Sequence, residues 1–364
     1  MEFAVLFGSF LVLILLTVPV GYAIGISTLI TLYFFSDISF VMISQNAVAG
    51  VDSFSLLAIP FFILAGSLMS AGGLAKRLLN FANICVGAVT GGLAMVTTVT
   101  CMFFAALSGS AVATTSAVGS FMIPAMKEKG YDEGFAAALA AAAGTIGIII
   151  PPSIPLVIYG VVVGASIGEL FIAGIIPGII MGVAILIVCY VISKKKGYRG
   201  TAEKLTLKSF SHSFVDAIWA FMAPGIILGG IYWGICTPTE AAVIAVLYSL
   251  FTGVVIYREL TFAKIYEAFV ETLTVNGATT FMVGLSMAFA SYLIMAGLPQ
   301  QIASFLISIT DSRIVLFMIV NLFLLAVGSL IDPIPAIIIL APILLPVMTK
   351  FGMSPVTFGV VLVP

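Results

Sequence analysis

Hydroxyl side chains cluster in the stretch LSGSAVATTSAVGSFMIP, residues 107 to 124. Ser108, Gly109 and Ser110 interrupt an apolar run there, and three more hydroxyl residues follow at positions 114 to 116. A helix that breaks exposes carbonyl groups at the end of one half and N–H groups at the start of the other. The carbonyl oxygens suit a hard cation such as Na⁺, and the N–H groups suit a carboxylate. The stretch therefore predicts a hairpin tip that binds an ion, an anionic substrate or both.

A second break is predicted in GTIGIIIPPSIP, residues 144 to 155. Pro151 and Pro152 have no backbone N–H, and we expect them to leave the carbonyls of Gly147, Ile148 and Ile150 unpaired. The absence of a side chain at Gly147 allows another group to approach closely. This segment is therefore a second predicted source of ligand oxygens.

Ser153 follows the two prolines and is predicted to begin the next half-helix as its N-cap. The alternative is that both breaks are kinks in a packed bundle, with hydroxyls bonded to carbonyls four residues earlier. We expect that role for three threonines before the tip, Thr97, Thr98 and Thr100. For Ser108, Ser110 and Ser153 we favour ligation of an ion or substrate, because both breaks need ligands and neither has another source.

Two acidic residues lie next to apolar segments. Asp332, in Ile331-Asp332-Pro333, is predicted to lie at the tip of a second apolar hairpin, and a carboxylate inside a membrane is a functional candidate by default. It could neutralise a second Na⁺ or carry a proton. Glu240, in CTPTEAA, is instead predicted to cap the start of a helix together with Thr237 or Thr239.

The composition places these residues in lipid. Of 364 residues, 62% are hydrophobic and 8% are charged, whereas a soluble domain is about 25% charged. So few charges exclude a basic surface for nucleic acid. The four cysteines have no CxxC spacing, and the single histidine, His212, is assigned to a surface loop, which leaves no histidine-based metal site. With no GxxxxGK[ST] motif and no Ser–His–Asp set, we expect no enzyme, and transport would be driven by an ion gradient.

Apolar runs recur along the chain, and several are shorter than the roughly 20 residues that cross a bilayer. Two pairs of short runs, 91–107 with 111–126 and 313–330 with 334–348, each flank a polar tip and are predicted to be re-entrant hairpins. The remaining runs are predicted helices at 3–18, 20–35, 54–71, 133–150, 154–164, 170–192, 217–235, 238–257 and 276–297.

The chain also resembles itself at an offset of about 222 residues, which places Pro124 on Pro346 and Ser110 on Asp332. We predict a first repeat over 1–193, a cytoplasmic linker over 194–212 and a second repeat over 213–364. All of the 14 Lys and Arg residues except Arg313 and Lys350 fall on one side if the hairpins are re-entrant. The positive-inside rule then predicts inverted halves and an N-terminus outside the cytoplasm. Inverted repeats with broken helices are typical of secondary transporters.

The motifs LSGSAVATTSAVGSFMIPAM, FAAALAAAAGTIGIIIPPSIPLVIYG and CTPTEAA resemble the large membrane subunit of tripartite ATP-independent periplasmic (TRAP) transporters, over essentially the whole chain. The resemblance implies an all-α integral membrane protein, an inverted-repeat elevator-type transporter with two re-entrant helical hairpins and discontinuous helices. It implies Na⁺-coupled uptake of an organic acid delivered by a periplasmic binding protein, in the bacterial inner membrane. It also implies a small membrane subunit, which we expect as a separate chain because this one begins at the first scaffold helix.

The resemblance assigns specific residues. One Na⁺ site falls on the first tip and break, largely through carbonyls, and a second involves Asp332. The predicted Na⁺ ligands are Ser108, Gly109, Ser110, Gly147, Ile150, Pro152 and Asp332. The predicted substrate-binding residues are Ser110, Thr145 and Ser153. In the family a broken helix with Thr-Pro-Pro follows the second hairpin, whereas this sequence stops at Pro364, so we expect it to be a piece of a longer chain.

The cargo is left open between sialic acid, which the wording of the hairpin favours, and C4-dicarboxylates. Two other classes of protein remain as alternatives. An ion channel would need a continuous hydrophilic path, and the sequence contains no ring of charges and no repeated filter. A membrane scaffold without transport activity would have no reason to break both hairpins.

Overall fold

The computed structural model describes residues 1–35, 38–200, 206–309, 312–329 and 331–363. Within these ranges the chain is helical and forms no β-strand. The helices are α1 Glu2–Leu15, α2 Val20–Phe35, α3 Val41–Val51, α4 Ala58–Ala71, α5 Leu74–Val86, α6 Gly92–Ser108, α7 Ala111–Glu128, α8 Glu133–Gly144, α9 Ile154–Val163, α10 Ile167–Lys196, α11 Leu207–Tyr232, α12 Pro238–Phe251, α13 Phe262–Met295, α14 Leu298–Ile309, α15 Arg313–Gly328, α16 Pro333–Lys350 and α17 Pro355–Leu362.

Each predicted apolar run overlaps a helix, which confirms the all-α membrane class. Six helical segments of the described chain are long and apolar enough to cross a bilayer, among them Ile167–Lys196 and Lys208–Tyr232. The two predicted hairpins are helix–turn–helix units, α6 with α7 and α15 with α16.

Four helices of the described chain lie outside the predicted apolar runs: α3, α5, α14 and α17. The first three are short and contain polar residues, and α17 is 8 residues long. Helix α13 also begins at Phe262, well before the start of the predicted run at position 276. Its first half mixes Lys264, Glu267 and Glu271 with apolar residues, so a search for continuous hydrophobicity misses it.

The described chain forms two compact units. One contains Met1–Leu56, Val157–Leu170 and Thr274–Pro364, and the other contains Leu57–Leu156 and Phe171–Leu273. Each unit takes residues from both predicted repeats, so the division at 193 and 213 stays a prediction. Both the tip at Ser108 to Ser110 and the break at 145 to 153 belong to the second unit.

The helix bounds of the second hairpin follow those of the first. Helices α7 and α16 are both 18 residues long, and the offset that aligns their first residues also aligns their last. A glycine with left-handed backbone follows each helix, Gly130 and Gly352, both with φ +80°. Left-handed glycines also precede α5 and α14, Gly73 and Gly297, and nearly the same offset relates these two positions.

Helices occupy both ends of the predicted linker 194–212. Helix α10 continues to Lys196 and α11 begins at Leu207, while 201–205 lie outside the described residues. The assignment of His212 to a loop is wrong, because it lies in α11 with an exposed side chain. The cause is a capping box in which Thr206 and Ser209 satisfy each other's backbone N–H groups and start the helix early.

Candidate ion and substrate site

The first hairpin turns within two residues. Helix α6 ends at Ser108, and Gly109 takes the left-handed conformation with φ +63°, which a glycine adopts without strain. Ser110 is extended and caps α7, because its Oγ accepts a hydrogen bond from the Ala113 N–H at 3.3 Å. The sequence Ser-Gly-Ser therefore supplies a helix end, a reversal and a helix start.

A buried network of hydroxyls forms beneath this tip. Ser108 Oγ and Thr114 Oγ1 are 2.8 Å apart, and Thr114 Oγ1 donates to the Ser110 carbonyl at 2.8 Å. Ser108 is 4% exposed and Thr114 is 0% exposed. Ser110 O also accepts from the Thr114 N–H at 3.1 Å, so its lone pairs are occupied and the two hydroxyl oxygens keep free ones.

The break begins where α8 ends at Gly144. A 3₁₀ turn covers Thr145–Ile148, and the chain then runs without regular helix until Ile154. Ser153 closes this segment, because its Oγ donates to the Ile148 carbonyl at 2.5 Å and accepts from the Leu156 N–H at 3.3 Å. The second bond confirms the predicted capping geometry, and the first shows that the expectation of an unpaired Ile148 carbonyl is wrong.

The structure brings the tip and the break together. The Ile154 N–H donates to the Gly109 carbonyl at 3.1 Å, which joins the turn of the hairpin to the start of α9. A Cβ added to Gly109 would lie 2.7 Å from the Pro152 carbonyl oxygen. A Cβ at Gly147 would lie 2.6 Å from Thr114 Oγ1 and 2.7 Å from Ser110 O. Both glycines therefore permit backbone contact that any side chain would prevent.

Other glycines hold the break in place from outside. A Cβ at Gly174 of α10 would lie 2.6 Å from the Ile149 carbonyl, and one at Gly178 would lie 2.5 Å from the Ile150 side chain. At the tip, Gly66 of α4 packs against Ser108, with its Cβ position 3.1 Å from the Ser108 Cα. The unwound segment is therefore enclosed, as irregular backbone in a membrane protein must be.

Most of the predicted ligands from this half of the chain lie in this assembly: Ser108, Gly109, Ser110, Gly147, Ile150, Pro152 and Ser153. Thr145 lies in the 3₁₀ turn, but its side chain is exposed and its Oγ1 donates to the Ala142 carbonyl at 2.8 Å. That bond is the ordinary bond of a helical threonine to its own backbone.

Thr114 is the functional candidate that the sequence interpretation did not assign. Its hydroxyl joins the two serines of the tip, and it faces Gly147 of the break. A signal was present, since residue 114 lies four positions after Ser110 and a helix places such residues on one face. The sequence did not single out Thr114, because the adjacent Thr115 and Ser116 also carry hydroxyl groups.

The tip of the second hairpin has another environment. Asp332 lies at the predicted tip and caps α16, with Oδ1 accepting from the Ile334 N–H at 3.2 Å, and its side chain is exposed among the described residues. The following Pro333 occupies the first helical position, where a missing N–H is tolerated. This tip belongs to the first compact unit and is described by itself.

The structural roles expected for other polar residues are largely found. Thr97 and Thr98 donate to the carbonyls four residues earlier, at 2.8 and 3.1 Å, whereas Thr100 Oγ1 is buried and has no hydrogen-bond partner among the described residues. Thr237 and Glu240 form a capping box in which the Thr237 N–H donates to Glu240 Oε2 at 2.7 Å. Thr237, not Thr239, is therefore the cap of α12.

The base of the hairpin is fastened by Tyr198. Its ring stacks on Tyr131 with centroids 4.1 Å apart, and its hydroxyl accepts from the Asp132 N–H at 3.0 Å. The Tyr198 carbonyl accepts from the Gly91 N–H at 3.0 Å. Asp132 and Gly91 are the N-caps of α8 and α6. Tyr198, which follows α10, therefore connects the starts of both helices.

Comparison with known proteins decides the family. Residues 7–364 match the profile described as "Tripartite ATP-independent periplasmic transporter, DctM component". The chain belongs to this family. It is therefore a multi-pass membrane protein and the large permease component of a TRAP transporter, not an enzyme.

Relatives of this TRAP permease are named for different substrates. It is 44% identical over 359 residues to the isethionate TRAP transporter permease protein DctMQ of Oleidesulfovibrio alaskensis, covering 99% of this chain and 56% of the relative. It is 38% identical over 341 residues to the C4-dicarboxylate permease DctM of Pseudomonas aeruginosa, covering 94% and 80%. It is also 38% identical over 342 residues to the sialic acid permease SiaM of Vibrio cholerae, covering 94% and 80%. The chain thus spans little more than half of the first relative.

A solved structure supports the fold of this TRAP permease. The YdaH transporter of Alcanivorax borkumensis, described as having an unusual topology, aligns with a TM-score of 0.60 at 14% identity. The alignment covers 89% of this chain and 75% of that one. At this identity the likeness concerns the fold alone.

Proposed function

We propose that this chain is the large membrane subunit of a Na⁺-driven importer of organic anions. The observation that carries the proposal is the contact between the hairpin tip and the helix break, where Gly109 and Gly147 bring the two backbones within contact distance. Two interrupted helices that meet at one point present carbonyls and N–H groups to the same small volume. Such a volume can hold a cation and an anion side by side.

The oxygen atoms at this point suit Na⁺. They are hydroxyls and carbonyls, including Ser108 Oγ, Thr114 Oγ1 and the Pro152 carbonyl beside Gly109. Hard cations select such oxygen ligands, whereas transition metals select histidine and thiolate. No three His, Cys, Asp or Glu side chains come together in the described ranges in a way that could hold a metal ion. When bound, Na⁺ would supply positive charge that attracts the anionic substrate.

The substrate would bind at the first turns of α7 and α9. Both turns begin at a serine cap, Ser110 and Ser153, and helix N-termini attract negative charge. The hydroxyl hydrogen of Ser153 is already donated to the Ile148 carbonyl. At α9, the backbone N–H groups of the first turn are therefore better placed than this hydroxyl to bind an anion. Thr145 would contribute only after its bond to Ala142 is released.

The cargo is an organic anion that carries a carboxylate or sulfonate. Relatives at 38% identity are named for sialic acid and for C4-dicarboxylates, and one at 44% is named for isethionate. These identities favour sialic acid no more than its alternatives. A shared anion-binding site surrounded by different side chains in each relative would explain why the relatives are named for different substrates.

The proposed assembly is tripartite, as the family name states. A periplasmic binding protein would deliver the anion, and a small membrane subunit would accompany this chain in the bacterial inner membrane. The distribution of Lys and Arg supports an N-terminus outside the cytoplasm. The single offset that relates both bounds of α7 to those of α16 supports two repeated halves, and the uneven distribution of Lys and Arg between the two sides supports inversion and an elevator-type movement.

Uptake into proteoliposomes tests the proposal. The chain would be reconstituted with its small subunit, and the binding protein would be loaded in turn with sialic acid, succinate or isethionate. We expect accumulation only when Na⁺ is higher outside. Accumulation that is the same without a Na⁺ gradient would contradict the coupling, and flux of Na⁺ without any binding protein would favour the channel alternative.

A further inference from the structure

A cavity of about 740 Å³ lies beside the first turns of α11. Lys208, Ser211 and His212 line it from one face of that helix, and all three are exposed. Arg77 of α5 and Tyr257 line it from the other side. None of these residues contributes to the hairpin tip or the break, so the cavity is separate from the candidate ion site.

The wall formed by Arg77 is closed by ion pairs. Its Nη2 lies 2.9 Å from Glu259 Oε1, and its Nε lies 3.5 Å from Asp216 Oδ1. The guanidinium also lies over the Tyr257 ring, 3.6 Å from the centroid, and donates to the Gly73 carbonyl at 2.9 Å. The charge of Arg77 is therefore balanced by two carboxylates, and one of them, Asp216, also lines the cavity.

The charge available to a ligand comes from Lys208. None of the ion pairs within the described ranges includes it. Ser211 and His212 follow on the same helix face and add a hydroxyl and an imidazole. An ammonium group with two further donors close by is a typical arrangement for binding a phosphate group.

The same face of α11 becomes apolar further along the helix. Val215 and Trp219 also line the cavity, and Val215 and Met222 are 63% and 42% exposed. Because Lys208–Tyr232 is a candidate membrane span, Lys208 lies at its end and the apolar residues lie further along it.

We propose that this cavity binds one anionic phospholipid. The headgroup phosphate contacts Lys208, Ser211 and His212, and an acyl chain lies along Val215 and Trp219. Charge and apolar surface follow each other along α11 in the same order as headgroup and acyl chain in a phospholipid. Basic pockets between helices on the cytoplasmic side bind such headgroups, and the charge distribution predicts that Lys208 lies on that side.

Native mass spectrometry of the full chain tests this site. Protein would be extracted from vesicles of phosphatidylcholine mixed with phosphatidylglycerol, and retained lipid would be counted. We expect one phosphatidylglycerol per wild-type chain and about fivefold less retention in Lys208→Gln, because a basic side chain near the surface contributes about that factor. Lys195→Gln is the matched control, since Lys195 is exposed at the end of another candidate span.

Two further arms separate a lipid from a free anion. Val215→Asn should lower retention of phosphatidylglycerol, and excess inorganic phosphate should not displace the lipid. Equal retention in wild type and Lys208→Gln would overturn the proposal, and so would an equal loss in Lys195→Gln. Displacement by inorganic phosphate would likewise overturn it and indicate a site for free anions. Lys208 and Val215 are exposed, so both variants are expected to fold as the wild type does.

Discussion

The two hairpin tips have matching helix bounds and different surroundings. At the first tip, Ser108 is buried, and the break at 145–153 covers it through the Ile154 N–H to Gly109 carbonyl bond. At the second tip, Asp332 is exposed among the described residues and accepts from the N–H of Ile334 at the start of its own helix. Two similar helix–turn–helix units therefore begin their second helices with different caps, a serine beneath a packed segment and an aspartate. At the first tip, the packed segment contributes to the burial of the hydroxyl network.

The largest expected effect is that of a side chain between tip and break. In Gly147→Ala the new Cβ would lie 2.6 Å from Thr114 Oγ1 and 2.7 Å from Ser110 O, both held by the hairpin. The two backbones must separate, so we expect uptake to fall by about tenfold or more. Gly225→Ala in α11 is the control, because nothing lies within 4 Å of its Cβ position. Normal uptake by Gly147→Ala would contradict the tip-to-break contact as the basis of the site.

The second effect concerns Thr114. Thr114→Val keeps the branched shape and removes the hydroxyl that bonds Ser108 and Ser110. Loss of a ligand oxygen and of buried hydrogen bonds, at about 1–3 kcal/mol, should raise the Na⁺ concentration for half-maximal uptake by about tenfold. Ser120→Ala, which removes an exposed hydroxyl of α7 bonded only to the Ala117 carbonyl, should leave that concentration unchanged. An equal shift in both variants would mean that the effect is not specific to the tip.

The third effect separates the two tips. Asparagine caps a helix as well as aspartate does, so Asp332→Asn should leave α16 intact while it removes the negative charge. If Asp332 serves a second ion, the steepness of uptake against Na⁺ concentration should fall while Thr114→Val shifts only the midpoint. An unchanged Na⁺ profile in Asp332→Asn would reduce Asp332 to a helix cap.

The smallest effect is at the base of the first hairpin. Tyr198→Phe keeps the stack on Tyr131 and loses the bond from the Asp132 N–H. We expect a loss of about 1 kcal/mol in the free energy of unfolding and little change in uptake. Denaturation in detergent measures this, with Tyr190→Phe on the exposed face of α10 as the control. A stability equal to that of wild type would show that this bond contributes nothing.

Much of this arrangement follows from the sequence because lipid leaves few choices. Long apolar runs must be helices, and a Ser-Gly-Ser or Pro-Pro interruption must break them where protein can cover the backbone. The capping roles of Ser110, Ser153 and Thr237 follow from their positions before apolar runs. These are local rules, and each depends on close neighbours in the sequence.

The remainder depends on packing between distant segments. The Ile154 N–H to Gly109 carbonyl bond joins two segments that are far apart in the sequence. Thr114 gains its role from Gly147, which belongs to a different helical segment, and no local pattern shows that contact. The amphipathic helices α5 and α14 escape a search for apolar runs because the charge or amide groups on one face lower the average hydrophobicity.

Binding of ²²Na⁺ to the purified chain tests the central claim most directly, since it requires neither partner nor cargo. Ser108→Ala removes a buried hydroxyl 2.8 Å from Thr114 Oγ1 without adding bulk. We predict saturable binding to the wild type and to Ser120→Ala, and an affinity about tenfold weaker in Ser108→Ala. Equal ²²Na⁺ binding by wild type and Ser108→Ala would contradict the assignment of the first hairpin tip as an ion site.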